Sequence, residues 1–202
     1  MAVNRWFETQ NDSLSTLLPR LERAWRLRKA PIVEGLRPGL TDDAIDALMA
    51  PTGLVPPGEL RTWWRWHDGS AGGESIGPGS WQFGSLAEMI QTLEYWRRFQ
   101  ASSCDASEPA VWKSSWFPAV QRGPNHVLHV DTSAATTAGE APVGNAEPFD
   151  DEPRDVVRAT SFTQVVGLWL GLIESGTFTL VDGYWDADWN SLPTELKTGR
   201  LI

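Results

Sequence analysis

One cysteine, three histidines and two tyrosines are all that this 202-residue chain holds of those residue types. A lone Cys104 excludes an intramolecular disulfide and a zinc cage built of thiolates. His67, His126 and His129 leave few ways to assemble a catalytic dyad or a metal site. No G-x-x-x-x-G-K-[ST] loop is present, so the glycines of GSAGGESIGPGS read as a turn and not as a phosphate cradle. No apolar run approaches the ~18 residues of a membrane span. The opening MAVNRWFETQNDS is polar and lacks the apolar core of a secretory signal, which makes the cytoplasm the expected location.

What is abundant is tryptophan, twelve in all, in a chain that is 41% hydrophobic and 21% charged. That balance is the one of an ordinary globular protein, and the length suits one domain. Each indole can bury roughly 150–250 Å², so a few of them supply much of a core. The net charge of −9 is unevenly spread. Residues 1–101 carry 11 basic and 12 acidic side chains, whereas residues 102–202 carry 6 and 14. An acidic half disfavours nucleic acid, whose phosphates require Lys and Arg, and suits a basic protein partner.

Helical spacing links Leu14, Leu17, Leu18, Leu21 and Trp25, with Pro19 inside the pattern and Pro31 expected to end it. A second helix follows Thr41 as N-cap, with Asp42 and Asp43 in its first turn and Pro51 closing it. A third runs through PPGELRTWWRWHDG. Leu60, Trp63, Trp64 and His67 make one face there, and Gly69 serves as the glycine cap. A short strand WQF leads to a capping box, Ser85 with Glu88, and a helix ending near Phe99. WFPAV, HVLHVD, VVRA and TFTLV read as strands. Thr132–Pro153 reads as a long polar loop. Ser161 and Gln164 cap a last long helix closed by Gly176, and the tail after the Asp-Gly turn is of mixed character. Helices first, strands in the middle and a closing helix predict an α+β fold.

The chemical candidates are few. His126 and His129 stand three apart on a strand and point to opposite faces. His129 and Asp131 share a face but make two ligands where a catalytic zinc takes three. DADWNS begins like a calcium loop at Asp186, Asp188 and Asn190, but Ser191 replaces the turn glycine and Lys197 the closing glutamate. His67 and Asp68 diverge by about 100° if helical, which favours a helix-end role over an acid–base pair. No cofactor, metal or catalytic residue is expected. Trp63 and Trp64 are core candidates, each contributing up to ~4–6 kcal/mol by area. Trp66 lies off their face and is either an exposed interface anchor or packed beneath the first helix.

The same residues carry a resemblance. Pro38, Gly39, Leu40 and Thr41, then Pro56, Pro57, Trp64, His67, Asp68 and Gly69, resemble the opening motifs of the SUKH superfamily, which includes the Smi/Knr-like cell-wall regulators. WQFGSLAEMI, VWKSSWFPAVQRG, HVLHVD ending in Asp131, and VVRATSFTQVVGLWL are similar, in order, to its later segments. The likeness spans about residues 18–176. Asn125 and His126 depart from the glycine-containing pair usual before the second strand, and Thr132–Pro153 does not follow the pattern. The resemblance implies an α+β fold with a mostly antiparallel central sheet flanked by helices. It also implies a non-enzymatic binding protein, commonly an immunity protein that silences a polymorphic toxin, and otherwise a regulatory adaptor of cell-wall or signalling proteins. A nuclease-like toxin is basic, and acidic residues would capture it. The candidate partner contacts are Asp150, Asp151, Glu152 and Asp155 in FDDEPRD, with Asp186 and Asp188, and the anchors Trp66 and Trp185.

Overall fold

The computed structural model describes residues 12–103, 110–123, 125–147, 157–187, 190 and 192. Helix α1, Leu14–Arg28, buries Leu14, Leu17, Leu18, Leu21, Ala24 and Trp25 on one side. Pro19 sits inside it as the sixth residue and cannot donate the helical bond to the Ser15 carbonyl. The helix stops before Pro31. Lys29 turns left-handed (φ 54°) and donates its N–H to the carbonyls of Trp25 and Arg26. Pro31 instead precedes a short helix α2, Ile32–Gly35, and strand β1, Leu36–Pro38.

Helix α3, Asp42–Met49, starts as its sequence predicts, with the Thr41 hydroxyl accepting from the Ala44 N–H at 3.2 Å. Helix α4, Gly58–Trp66, buries Leu60, Trp63 and Trp64. His67 does not extend that face. Its backbone is extended (φ −147°, ψ 142°) and opens strand β2, His67–Ser70, antiparallel to β1. Gly69 is therefore not a helix cap. It has φ +78° within β2, and a Cβ there would stand 2.5 Å from the Ser85 backbone nitrogen, so close approach of two chain segments requires the glycine.

The WQF strand is reduced to isolated bridges of Gln82 with Ser75 and Gln121. Helix α5, Leu86–Ser103, runs four residues past Phe99. Its capping box forms in both directions: Glu88 Oε2 accepts from the Ser85 N–H at 2.6 Å, and Ser85 Oγ from the Glu88 N–H at 3.2 Å.

Strands β3, Trp116–Gln121, β4, Val127–Asp131, β5, Val143–Ala146, and β6, Val157–Ala159, form one antiparallel sheet in that order. Strand β5 lies inside the segment expected to be a polar loop, and all four of its residues are buried. Val-Gly-Asn-Ala has too little apolar character to announce a strand. Burial on both sides is what makes it one. In β4, Val127 and His129 face one side and Leu128 and Val130 the other, and all four are buried, so both faces of the sheet are covered. Pro118 lacks an N–H and lies on an edge strand, where the register slips between Pro118 and Val120.

Helix α6, Phe162–Glu174, closes the core with nine buried residues, and the Ser161 hydroxyl accepts from the Gln164 N–H at 3.1 Å. Gln164 Oε1 in turn accepts from the Thr160 N–H at 2.9 Å. A hairpin follows: β7, Phe178–Val181, and β8, Tyr184–Ala187, joined by Asp182 and Gly183, both at positive φ (50° and 84°), the Asp-Gly turn whose twist suits a hairpin. The fold is α+β, with α1 packed against α4 and α6, and α5 against β3. Among the described residues, no helix is long and apolar enough to cross a membrane.

The tryptophans join these layers. Trp64 meets Phe117 edge-on at 5.7 Å, and Trp63 packs at 4.2 Å from Phe83 and 5.2 Å from Phe162. Trp25 Nε1 donates to the Ile76 carbonyl at 2.6 Å. The tightest polar tie is Glu59, 6% exposed. Its Oε1 accepts from the N–H groups of Ala141 (2.9 Å) and Phe162 (3.0 Å), and its Oε2 from the Thr163 N–H (2.9 Å) and hydroxyl (3.1 Å). One carboxylate thus joins α4 to the segment before β5 and to the N-terminus of α6, where a negative charge meets the positive end of the dipole. Burial pushes the Glu59 carboxyl up, and these four donors pull it back only in part. Glu59→Gln places an amide N–H₂ against N–H donors. It should destabilise the chain by about 2–4 kcal/mol in urea unfolding, and a loss below ~1 kcal/mol would show that the lock is redundant.

Candidate functional site

The histidines come first, because they are the residues most able to do chemistry near neutral pH. His67 Nδ1 lies 2.8 Å from the Arg37 carbonyl, which makes that nitrogen the donor, and Nε2 lies 3.4 Å from Glu22 Oε2. Burial raises the Glu22 carboxyl, but hydrogen bonds from Arg26 and His67 outweigh it and hold it below its usual range. Asp68 is the next residue of an extended strand, so its side chain leaves on the other side. Its Oδ1 accepts from the Leu86 N–H at 2.8 Å, at the start of α5. Histidine and aspartate therefore serve two different junctions and do not converge.

His129 is not a solvated strand end. It is 3% exposed, stacked on Trp116 at 3.7 Å and set edge-on to Trp112 at 5.6 Å. Its Nδ1 has no hydrogen-bond partner among the described residues. Burial drives its pKa down to about 3, the Asp131 carboxylate pulling upward and Lys113 adding to the depression. The ring is thus a neutral element of an aromatic stack that continues from Trp112 to Trp96 at 5.0 Å. His126 accepts from Arg122 through Nδ1 at 2.8 Å, and that guanidinium also lies over the Trp81 ring. Among the described residues, no group of three or more His, Cys, Asp or Glu stands where it could hold a metal ion.

The β7–β8 hairpin alternates cleanly. Phe178, Leu180, Trp185 and Ala187 face inward, whereas Thr179, Val181, Tyr184 and Asp186 face solvent. Val181 and Tyr184 are paired across the two strands and are 50% and 79% exposed. Asp182 and Asp186 flank them. Behind the turn, Pro31 supports Gly183: a Cβ on that glycine would stand 3.7 Å from the proline ring. An aromatic–apolar pair on a supported turn, rimmed by carboxylates, is the composition of a protein-binding patch.

Trp66, one of the two aromatic anchors read from the sequence, is half-buried among Trp25 (5.6 Å), Trp63 (5.5 Å) and a stacked Phe83 (5.9 Å). Of the two places open to it, the one against the first helix is occupied. Trp185 is half-buried on the inner face of the hairpin, its Nε1 donating to the Ser75 carbonyl at 3.2 Å. Asp186 is exposed on the outer face. Asp150, Asp151, Glu152, Asp155 and Asp188 lie outside the described residues. Tyr184 is the residue that sequence reading passed over. The signal was present, since strand alternation after the Asp-Gly turn puts Tyr184 with Asp186 and sets Trp185 opposite. No protein-family model matches the chain, and no curated protein matches it.

The buried imidazole has a measurable consequence. A folded-state pKa of about 3 against an ordinary 6.5 means that the unfolded chain takes up a proton first as pH falls. The stability this residue provides is complete above pH 6.5 and is lost towards pH 3, by up to ~1.4 kcal/mol per pH unit. Glu22, Glu88 and Asp131 are held low and add their own losses only below their ordinary values of 4.5 and 3.8. Glu59, held high, works in the opposite direction as pH falls, so denaturant unfolding at pH 6.5 and pH 5 reads the imidazole as the difference between wild type and His129→Phe. His129→Phe should be flatter by roughly that slope, and equal slopes in the two would contradict the assignment.

Proposed function

We propose that this chain is a non-enzymatic protein-binding module of immunity type, acting in the cytoplasm by occluding a toxin. The observation that carries the proposal is the outer face of the β7–β8 hairpin, with Tyr184 79% exposed beside Val181 and between Asp182 and Asp186. Tyrosine is a favoured interface anchor because it presents a large, stiff, amphipathic surface at little entropic cost. The excess of acid in residues 102–202 supports a basic partner such as a nuclease-like toxin, since opposite charge speeds encounter and fixes register. The SUKH-like order of motifs supports an immunity role. Occlusion needs no reaction. The hairpin tip enters the partner's cleft, and the carboxylates occupy the place that phosphates would take.

Partner capture by the tagged chain from its native cell, followed by binding kinetics on the purified pair, tests this. Tyr184→Ala should weaken binding by about 2 kcal/mol, roughly thirtyfold, mainly through faster dissociation. Asp186→Lys should slow association at low salt. A toxin-type partner whose host survives only with the wild-type chain completes the expected result. Unchanged kinetics in both variants would remove the hairpin from consideration, and a cell-wall or signalling partner with no toxicity would replace immunity by the adaptor role.

A further inference from the structure

The hairpin is acidic and aromatic, whereas the first helix offers the opposite chemistry. Arg20, Arg23, Arg26, Arg28 and Lys29 are five of the chain's 17 basic residues, and Glu22 is the one acid among positions 20–29. Thr16, Arg20, Arg23 and Leu27 recur at intervals of four, three and four and so form one stripe along α1. The stripe is turned away from the core. Thr16 and Arg23 are exposed, and Leu27 is 71% exposed.

The two ends of this face are held. Arg20 Nη1 lies 2.8 Å from Asp12 and Nη2 2.9 Å from Glu174, and Arg28 donates to the Ile173 carbonyl. Between them opens a cleft of about 500 Å³ lined by Arg20, Arg23, Ala24, Leu27, Arg28 and Glu174. Arg23 makes no ion pair or hydrogen bond among the described residues. Its neighbour Arg20 already holds two carboxylates in this setting, which shows what kind of group the face accepts. An exposed leucine between guanidinium groups supplies an apolar anchor with a charged rim.

We propose that this α1 face docks an acidic segment of a protein partner. A carboxylate meets Arg23, and an apolar side chain rests on Leu27 in the cleft. Charge favours an acidic peptide over nucleic acid. Phosphate backbones are held by rows of Lys and Arg acting together, whereas here Arg20 is already paired with Asp12 and Glu174, and Arg26 with Glu22. The surface is separate from the hairpin patch and stands whether or not that patch is used.

The test is fluorescence anisotropy on the full chain with a short synthetic glutamate–leucine peptide, and with a single-stranded thymidine oligonucleotide as the competing class. Arg23→Glu and Leu27→Glu alter exposed side chains, and an unchanged thermal midpoint verifies that both variants fold. The peptide should bind the wild type, bind each variant about tenfold or more weakly, and bind Tyr184→Ala as it binds the wild type. Added salt should weaken it. No peptide binding by the wild type, equal binding by the folded variants, or tighter binding of the oligonucleotide would overturn the proposal.

Discussion

A carboxylate with almost no access to water holds three distant parts of this chain in register. Glu59 leaves the first turn of α4 and accepts N–H bonds from Ala141, Phe162 and Thr163, which are separated from it by 82 to 104 residues. A buried charge is tolerable only when its lone pairs are filled, and here four donors fill them. The consequences spread outward. The N-terminus of α6 is fixed against α4, the approach to β5 is pinned, and the helices can then close over the sheet. The hairpin that follows α6 inherits its position from the same lock.

The indoles do the packing that the lock permits. Trp63, Trp64, Trp25, Trp96 and Trp169 are fully buried; Trp63, Trp64, Trp96 and Trp169 meet phenylalanines edge-on, and Trp25 lies tilted against Trp66, angles that suit ring quadrupoles. This packing has a polar cost. Among the described residues, Trp63, Trp64, Trp96 and Trp112 each leave an Nε1–H without a partner, and His129 Nδ1 shares that condition. Area burial outweighs those losses because each ring removes far more apolar surface from water than its single N–H forfeits. The same burial withdraws His129 from proton chemistry. On the surface stand two contrasting patches: the carboxylate-rimmed Tyr184 at the hairpin tip and the arginine-rimmed Leu27 on α1.

Most helices were legible in the amino-acid order. Thr41, Ser85 with Glu88, and Ser161 make the N-terminal bonds that their spacing predicts, since capping is local and needs only a few consecutive residues. The α4 terminus was misplaced because WWRWHDG keeps helical spacing through His67, while pairing of β2 with β1 draws that residue into a strand. The candidate surface was legible only in part. Asp186 was identified by charge, but Tyr184 lay in a tail whose second strand had no obvious pattern, and Trp185 was identified by its indole, which lies half-buried on the inner face.

The sequence by itself determined the α+β class, the helix starts, the tryptophan-rich core and the acidic bias of the second half, because each follows from local bonding, periodicity or simple charge. Tertiary structure alone decided that Val143–Ala146 is an inner strand, that Glu59 spans three segments, that Trp66 packs against α1, and which side of the hairpin meets water. Those outcomes depend on partners far away in the chain. Burial and hydrogen bonding there are settled by what arrives from elsewhere in the fold, and no short window of residues encodes it.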